Sequence, residues 1–394
     1  MTFITYSPGT VSFDDALALA REGTVTRDTA RILIHADAEE ELDSLFEVAR
    51  EQCDRVKKRR VSFSKKVFIP LTNLCRDYCG YCTFRRDPGQ PGALTMTPEE
   101  VLAVAESGAR LGCKEALFSL GDRPEAIFPE MRETLARLGH RTTLSYLVEM
   151  CERVLNETGL LPHANPGLMG RRDLEALRRF SPSMGLMLES TSDRLLSPGM
   201  AHHNAPDKPA ALRLKTIEEA GRLKIPFTTG ILIGIGETLE DRVDSLFAIR
   251  DLHERYGHIQ EVIVQNFRAK LEIPMRDHPE PGRLDHARTI ATARLVLGQM
   301  NVQAPPNLSD REYPFLLRAG INDWGGISPL TPDFINPEKP WPHIEQLAAR
   351  TVDEGYELVE RLSVYPEYVH TDEFIDERLR RRVRAKADNC GLAV

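Results

Sequence analysis

The chain has no run of 18 or more apolar residues, the length that a membrane-spanning helix needs. Its N-terminus also lacks the charged-then-apolar layout of a signal peptide. These two absences make a cytoplasmic protein without a membrane partner the expectation. There is no excess of positive charge: 51 Lys and Arg stand against 59 Asp and Glu, a net charge of -8. Non-specific nucleic-acid binding is therefore excluded as the main task, and no nucleic-acid partner is expected. Two basic runs, Arg55 to Lys66 and Arg378 to Lys386, read as solvated helix faces. Internal repeats and low-complexity segments are also missing. Cysteine is sparse, at seven in 394 residues. Structural disulfides are not expected in a reducing compartment, so Cys53, Cys113, Cys151 and Cys390 read as small buried hydrophobes or inert thiols. What remains, 41% hydrophobic and 28% charged residues, is ordinary for a globular enzyme with a large core.

The other three cysteines crowd into eight residues, Cys75-Arg-Asp-Tyr-Cys79-Gly-Tyr-Cys82, just after a strand expected over Lys65 to Pro70. A short loop can bring three thiolates to one metal centre, and the missing element here is a fourth. A closed zinc site or a fully ligated iron-sulfur cluster takes four protein ligands. Three on a four-iron cluster leave one iron open to a ligand that is not protein. From these residues alone, a zinc site completed by a distant His and a plain electron-transfer cluster stay open as alternatives. His202 and His203 lie in a Pro- and Gly-flanked loop and read as surface residues rather than ligands.

Residues 1–60 are expected to form a helical extension, with Ser12 capping one helix and Asp37 opening a longer one. From Lys65 to about residue 302 the pattern alternates between short apolar or β-branched runs and amphipathic stretches. Strands are expected over Val67 to Pro70, Ala116 to Leu120, Leu160 to Ala164, Gly185 to Glu189, Pro226 to Ile233 and Glu261 to Asn266. Helices are expected over Thr97 to Leu111, Thr142 to Thr158, Arg171 to Phe180, Pro209 to Leu223, Leu239 to Tyr256 and Arg283 to Met300. Alternation at this spacing implies an α/β fold with a parallel sheet and right-handed crossovers. Six units suit an open, curved sheet; periodicity does not separate that from a doubly wound flat one. Residues 303–394 form a C-terminal extension, first Pro- and Gly-rich, then helical over His343 to Leu362 and His370 to Ala387.

Ligands of parallel α/β folds bind at the carboxyl ends of the strands, and the polar and glycine motifs gather there. The cysteine loop follows the first strand and Gly121-Asp122-Arg-Pro-Glu125 the second. His163-Ala-Asn165-Pro follows the third, Glu189-Ser190-Thr191 the fourth, Gly230 to Glu237 spans the fifth, and Gln265-Asn266-Phe-Arg268 ends the sixth.

Cys-x3-Cys-x2-Cys, with Tyr81 before the last cysteine and Thr83-Phe84 after it, resembles the signature of radical S-adenosylmethionine enzymes. The resemblance implies a partial (β/α)6 TIM-like barrel as the core, over 61–302. It implies that Cys75, Cys79 and Cys82 hold one 4Fe-4S cluster, whose open iron is chelated by S-adenosylmethionine. Cleavage of that cofactor then gives methionine and a 5'-deoxyadenosyl radical. Further residues carry over by position. The backbone at Tyr81 would contact adenine, and Gly121-Asp122 replaces the family's Gly-Gly-Glu, whose carbonyls receive the methionine amino group. Glu189 and Ser190 suit the ribose hydroxyls. Gly230 and Gly234, in a run like Gly-x-Ile-x-Gly-x-x-Glu, would allow close approach to adenosine.

Longer runs narrow the resemblance. Ile69 to Phe84, Phe118 to Glu125, His163-Ala-Asn-Pro-Gly and Asn322-Asp-Trp-Gly-Gly-Ile-Ser-Pro-Leu-Thr are similar to the cyclising subunit of 7,8-didemethyl-8-hydroxy-5-deazariboflavin synthases. That branch implies a lyase reaction. A tyrosine-derived 4-hydroxybenzyl/ribitylamino-uracil adduct closes into the deazaflavin, with release of ammonia, methionine and 5'-deoxyadenosine. The implied partners are the small-molecule substrate, a second radical subunit supplying the adduct, and a reductant such as flavodoxin or ferredoxin. Asn165, Gln265, Asn266, Asn322 and Asp323 offer donors and acceptors for a uracil and a polyol; no catalytic base is assigned. Rival readings are a menaquinone-pathway or biotin-synthase-like radical enzyme and, outside enzymes, a zinc- or cluster-binding module.

Overall fold

The computed structural model describes residues 11–394. The first ten residues of the expected helical extension lie outside that range. Three helices lead in: α1 (Phe13–Arg21), α2 (Arg27–Ile34) and α3 (Glu39–Lys57). Ser12 closes a capping box with Asp15 on α1, satisfying N–H groups that the helix itself cannot pair. The barrel then runs β1 (Arg60–Thr72), α4 (Pro98–Arg110), β2 (Glu115–Leu120), α5 (Pro129–Arg137), α6 (Thr143–Glu157), β3 (Leu161–Asn165), α7 (Arg171–Arg178) and β4 (Ser183–Gly185). It continues with α8 (Ala210–Arg222), β5 (Phe227–Ile233), α9 (Leu239–Tyr256), β6 (Ile259–Asn266), α10 (Arg283–Leu297), β7 (Val302–Gln303) and β8 (Asp323–Ile327). After it come α11 (Ile344–Asp353), β9 (Glu357–Glu360), α12 (Pro366–Val369) and α13 (Glu377–Arg384).

Strands β1 to β8 are all parallel, neighbour to neighbour, and β1 bonds both β2 and β8, which closes the ring. The expected TIM-like α/β barrel is thus present, with eight strands where six were expected. The two additional ones escape a periodicity argument for physical reasons. Strand β7 has two residues. Strand β8 is Asp-Trp-Gly-Gly-Ile, and glycine weakens a strand. Because β8 lies beyond residue 302, the sheet continues into the segment expected as extension. The fourth strand is shorter than expected, since the chain leaves β4 after Gly185 and Glu189 makes only a single bridge to Ile231. The helix expected over His343 to Leu362 stops at Asp353; Gly355 turns with φ +83°, and Glu357–Glu360 pair with Arg60–Phe63 as β9.

Odd residues of β1 (Val61, Val67, Ile69, Leu71) are buried toward the helices and even ones face the lumen. In most TIM barrels that interior is filled by branched apolar side chains. Here it holds Ser64, Lys66, Glu115, His163, Thr228, Glu261, Gln303 and Asp323, all buried. The C-terminal segment closes both ends. At the floor, Arg361 bonds Asp323 at 2.6 Å and 2.9 Å and Glu261 at 3.0 Å, and the Ser363 carbonyl accepts from Ser183 Oγ and Gln260 Nε2. At the mouth, Thr331 Oγ1 accepts the Phe68 N–H, the Ile335 carbonyl accepts from Thr83 Oγ1, and Trp341 stacks on Phe68 at 5.2 Å.

Candidate active site

The cysteine loop leaves β1 and is tied down by its neighbours' backbones. Tyr78 N–H donates to Asn204 O, Gly80 N–H to Ala201 O and Arg76 N–H to Asp122 O, at 2.9, 2.8 and 3.1 Å. Buried Asp207 pairs with Arg76 at 2.7 Å and with Arg123, and its N–H donates to Asp77. Gly121, at the end of β2, runs so close that a Cβ there would sit 2.0 Å from Leu74 O and 2.6 Å from Cys75 Cβ. Only glycine fits that position.

All three thiols of the loop face one cavity of about 270 Å³ at the strand ends, and none forms a disulfide. Burial, with the Asp77 carboxylate adding to it, pushes the Cys75 thiol up to about 12. Burial likewise pushes Cys79 far above its ordinary value. Such sulfurs favour the ionised form only beside a compensating cation. The donor set fits an iron-sulfur cluster on a further point: Cys75 Sγ accepts N–H bonds from Asp77 at 3.4 Å and Asp122 at 3.2 Å. No fourth cysteine lines the cavity.

Tyr81, Gly121, Asp122 and Glu189 line the same cavity. Glu189 adopts a left-handed φ of +67°, its N–H donating to Gly230 O and its carbonyl accepting from Leu232 N–H, so that its carboxylate turns inward. There it accepts from Lys208 Nζ, Tyr81 OH and, at 3.0 Å, His202 Nε2, with Arg213 at 3.7 Å. Burial opposes its charge, but Lys208, His202 and Arg213 more than offset that and hold the carboxyl well below its usual range. Asp122 is the opposite case. Burial, reinforced by Asp207, pushes it up to about 7, and its Oδ2 accepts the Leu168 N–H.

Ser190, Gly230 and Gly234 are not among the cavity's lining residues. Ser190 Oγ accepts from Ser192 N–H. A Cβ on Gly230 would meet Ile263 O of the neighbouring strand at 2.2 Å, and one on Gly234 would meet the Pro281 ring, in the loop before α10, at 2.5 Å. Of the polar candidates, Asn165, Gln265 and Asn266 line the cavity. Asn322 does not: it is buried against Arg294, Val302 N–H and Asn301. Asp323 belongs to the floor. The expectation of a surface position for His202 is corrected, since it is buried at 3% exposure and bonded to Glu189, while His203 is exposed. Lys208, Arg213 and His202 carry no local sequence signal for this role: the irregular chain between β4 and α8 brings in His202 and Lys208, and the first turn of α8 brings in Arg213.

A model of the Radical SAM superfamily matches residues 69–249. The chain is 54% identical over 309 residues to 7,8-didemethyl-8-hydroxy-5-deazariboflavin synthase of Methanopyrus kandleri, covering 78% of this chain and 92% of that one. The chain belongs to this family of radical SAM proteins. Membership carries a 4Fe-4S cluster and S-adenosylmethionine as cofactors. FO synthase of Mycobacterium tuberculosis is 51% identical over 396 residues, 96% of this chain and 46% of that one. The chain therefore spans about half the length of the FO synthases it matches. In fold it is similar to the FeFe-hydrogenase maturase HydG from Carboxydothermus hydrogenoformans (TM-score 0.70, 19% identity, 94% and 81% of the two chains). It is also similar to methylornithine synthase (TM-score 0.69, 20% identity, 87% and 97%). Among the described residues no helix is long and apolar enough to cross a membrane.

Proposed function

We propose that this chain is the cyclising radical SAM enzyme of deazaflavin formation. It would act in the cytoplasm on a 4-hydroxybenzyl/ribitylamino-uracil adduct and release ammonia. The observation that carries this reading is the junction of two spaces. The cavity holding three thiols and no fourth continues, through Ser119, Asn165, Met187, Gln265, Ile335 and Asn336, into a polar barrel lumen.

Cys75, Cys79 and Cys82 hold the cluster, and Tyr81, Gly121, Asp122 and Glu189 face S-adenosylmethionine from the cavity wall. Ser190, Gly230 and Gly234 act from behind that wall, Gly230 by letting β5 and β6 lie close and Gly234 by admitting the Pro281 ring. When bound, the two cofactors supply a one-electron cleavage that yields a carbon radical able to abstract hydrogen. The protein's own part is placement and exclusion of water. The anchored cysteine loop fixes where the radical arises, and the segment from Thr331 to Trp341 covers the rim. Glu189, kept ionised by Lys208 and Arg213, offers a fixed acceptor. A second radical subunit supplies the adduct, and a flavodoxin or ferredoxin supplies the electron.

The test is an anaerobic assay with the adduct, S-adenosylmethionine and a reductant. The expected result is fluorescent deazaflavin formed together with 5'-deoxyadenosine and ammonia. Deoxyadenosine without the fluorescent product would assign the chain to another radical SAM reaction.

A further inference from the structure

The lumen below the cluster cavity encloses about 200 Å³. Most of its polar side chains are committed to one another: Lys66 to Glu115 at 2.8 Å, Arg361 to Asp323 and Glu261, and His163 to Ser183 at 2.8 Å. Gln303 is not. It comes from the two-residue strand β7, is 4% exposed, and faces the lumen. Its Oε1 has no hydrogen-bond partner, and its Nε2 reaches only the Trp324 carbonyl at the limiting distance of 3.5 Å. A buried carboxamide left this way is costly and calls for a partner.

The Trp-Gly-Gly motif explains how it is held there. Gly325 has φ +75°, and a Cβ on it would lie 2.3 Å from Gln303 Nε2. On Gly326 a Cβ would lie 2.3 Å from Lys66 Cε. The two glycines of β8 thus keep space for two polar side chains that point into the cavity. Nearby, Phe68 and Trp341 both line the lumen, stacked on each other at 7° between planes, flat aromatic surfaces beside the space for a planar ring.

We propose that Gln303 reads the cyclic imide edge of the substrate's heterocycle, its Oε1 accepting the ring N–H and its Nε2 donating to the adjacent ring carbonyl. This rests on the ribitylamino-uracil reading above. A primary carboxamide presents one acceptor and one donor side by side, the complement of an imide or lactam edge. The lumen's two cations, Lys66 and Arg361, are both engaged by Glu115, Glu261 and Asp323, and Asp333 adds a further carboxylate to the lining, which suits an uncharged ring rather than an anion. Sites built to bond a substrate N–H discriminate strongly against analogues that lack it.

The experiment is calorimetric titration of the anaerobic, cluster-loaded chain without reductant, so that nothing turns over. The probes are the ribitylamino-uracil adduct and its analogue methylated at the imide nitrogen. Wild-type protein is expected to bind the parent about 10- to 100-fold more tightly than the methylated analogue. Gln303→Leu is expected to weaken the parent by a similar factor and to bind both probes alike. Its iron content and S-adenosylmethionine affinity should stay unchanged. Equal binding of the two probes by wild-type protein overturns the proposal, as does undiminished discrimination in Gln303→Leu. Failure of wild-type protein to bind either probe overturns the substrate reading along with it.

Discussion

At the floor of the barrel Arg361 stands between Asp323 and Glu261, and every charge there is answered by another protein group. At the mouth the three thiols face the cavity, and the Glu189 carboxylate is held by Tyr81 of the cysteine loop, by His202 and Lys208 of the segment before α8, and by Arg213 of α8 itself. Both regions bury polar groups that would be costly if left alone. The floor neutralises them internally and so stabilises the fold. The mouth leaves donor atoms turned toward a cavity, as a binding site must. The same C-terminal segment serves both regions, plugging one end and covering the rim of the other.

The largest effect should come from the mouth. Replacing any one of Cys75, Cys79 or Cys82 by Ala is expected to abolish cleavage of S-adenosylmethionine and to lower bound iron sharply. Thermal stability of the apoprotein should change little. Iron analysis together with 5'-deoxyadenosine quantitation checks this, and normal turnover in Cys82→Ala would remove the distinction between the regions.

At the floor, Arg361→Met leaves Asp323 and Glu261 buried and unpaired, which should cost about 3–5 kcal/mol of stability in denaturant unfolding. The folded fraction should still take up the cluster. If Arg361→Met lost iron without losing stability, the floor would be part of the site.

Acid should weaken the fold next. Burial pushes the folded-state values of His163 and His286 down to about 4 and that of His258 to about 3, from 6.5. Between about pH 6.5 and 4 the unfolded chain therefore binds more protons than the folded one, and stability is lost as pH falls. Unfolding midpoints should drop across that window, and His163→Gln should flatten part of the slope. The smallest effect belongs to Cys390→Ser: that exposed thiol lies outside both regions, and iron content and stability should be unchanged.

Much of this was legible in the sequence, and the gaps have physical causes. Leu239–Tyr256 was expected to the residue, because Thr238 caps the helix and Gly257 ends it in a left-handed turn. Helices α2 and α5 were not foreseen. The three cysteines, Gly121, Asp122 and Glu189 were placed at strand ends and share one cavity. Lys208, His202 and Arg213 were missed because tertiary folding, not any local pattern, aims them at Glu189, the first two from an irregular segment and the third from the start of α8. Strands β7 and β8 were missed because one is very short and the other trades strand propensity for glycines that make room in the lumen.

The central claim is that three thiolates at the mouth hold a four-iron cluster with one iron open to S-adenosylmethionine. Electron paramagnetic resonance of the anaerobically reconstituted, reduced protein tests it directly, before and after S-adenosylmethionine is added. The account predicts about four irons per chain, a reduced-cluster signal, and a change in that signal on addition of the cofactor. Zinc in place of iron, or a cluster signal that S-adenosylmethionine leaves unchanged, would contradict it.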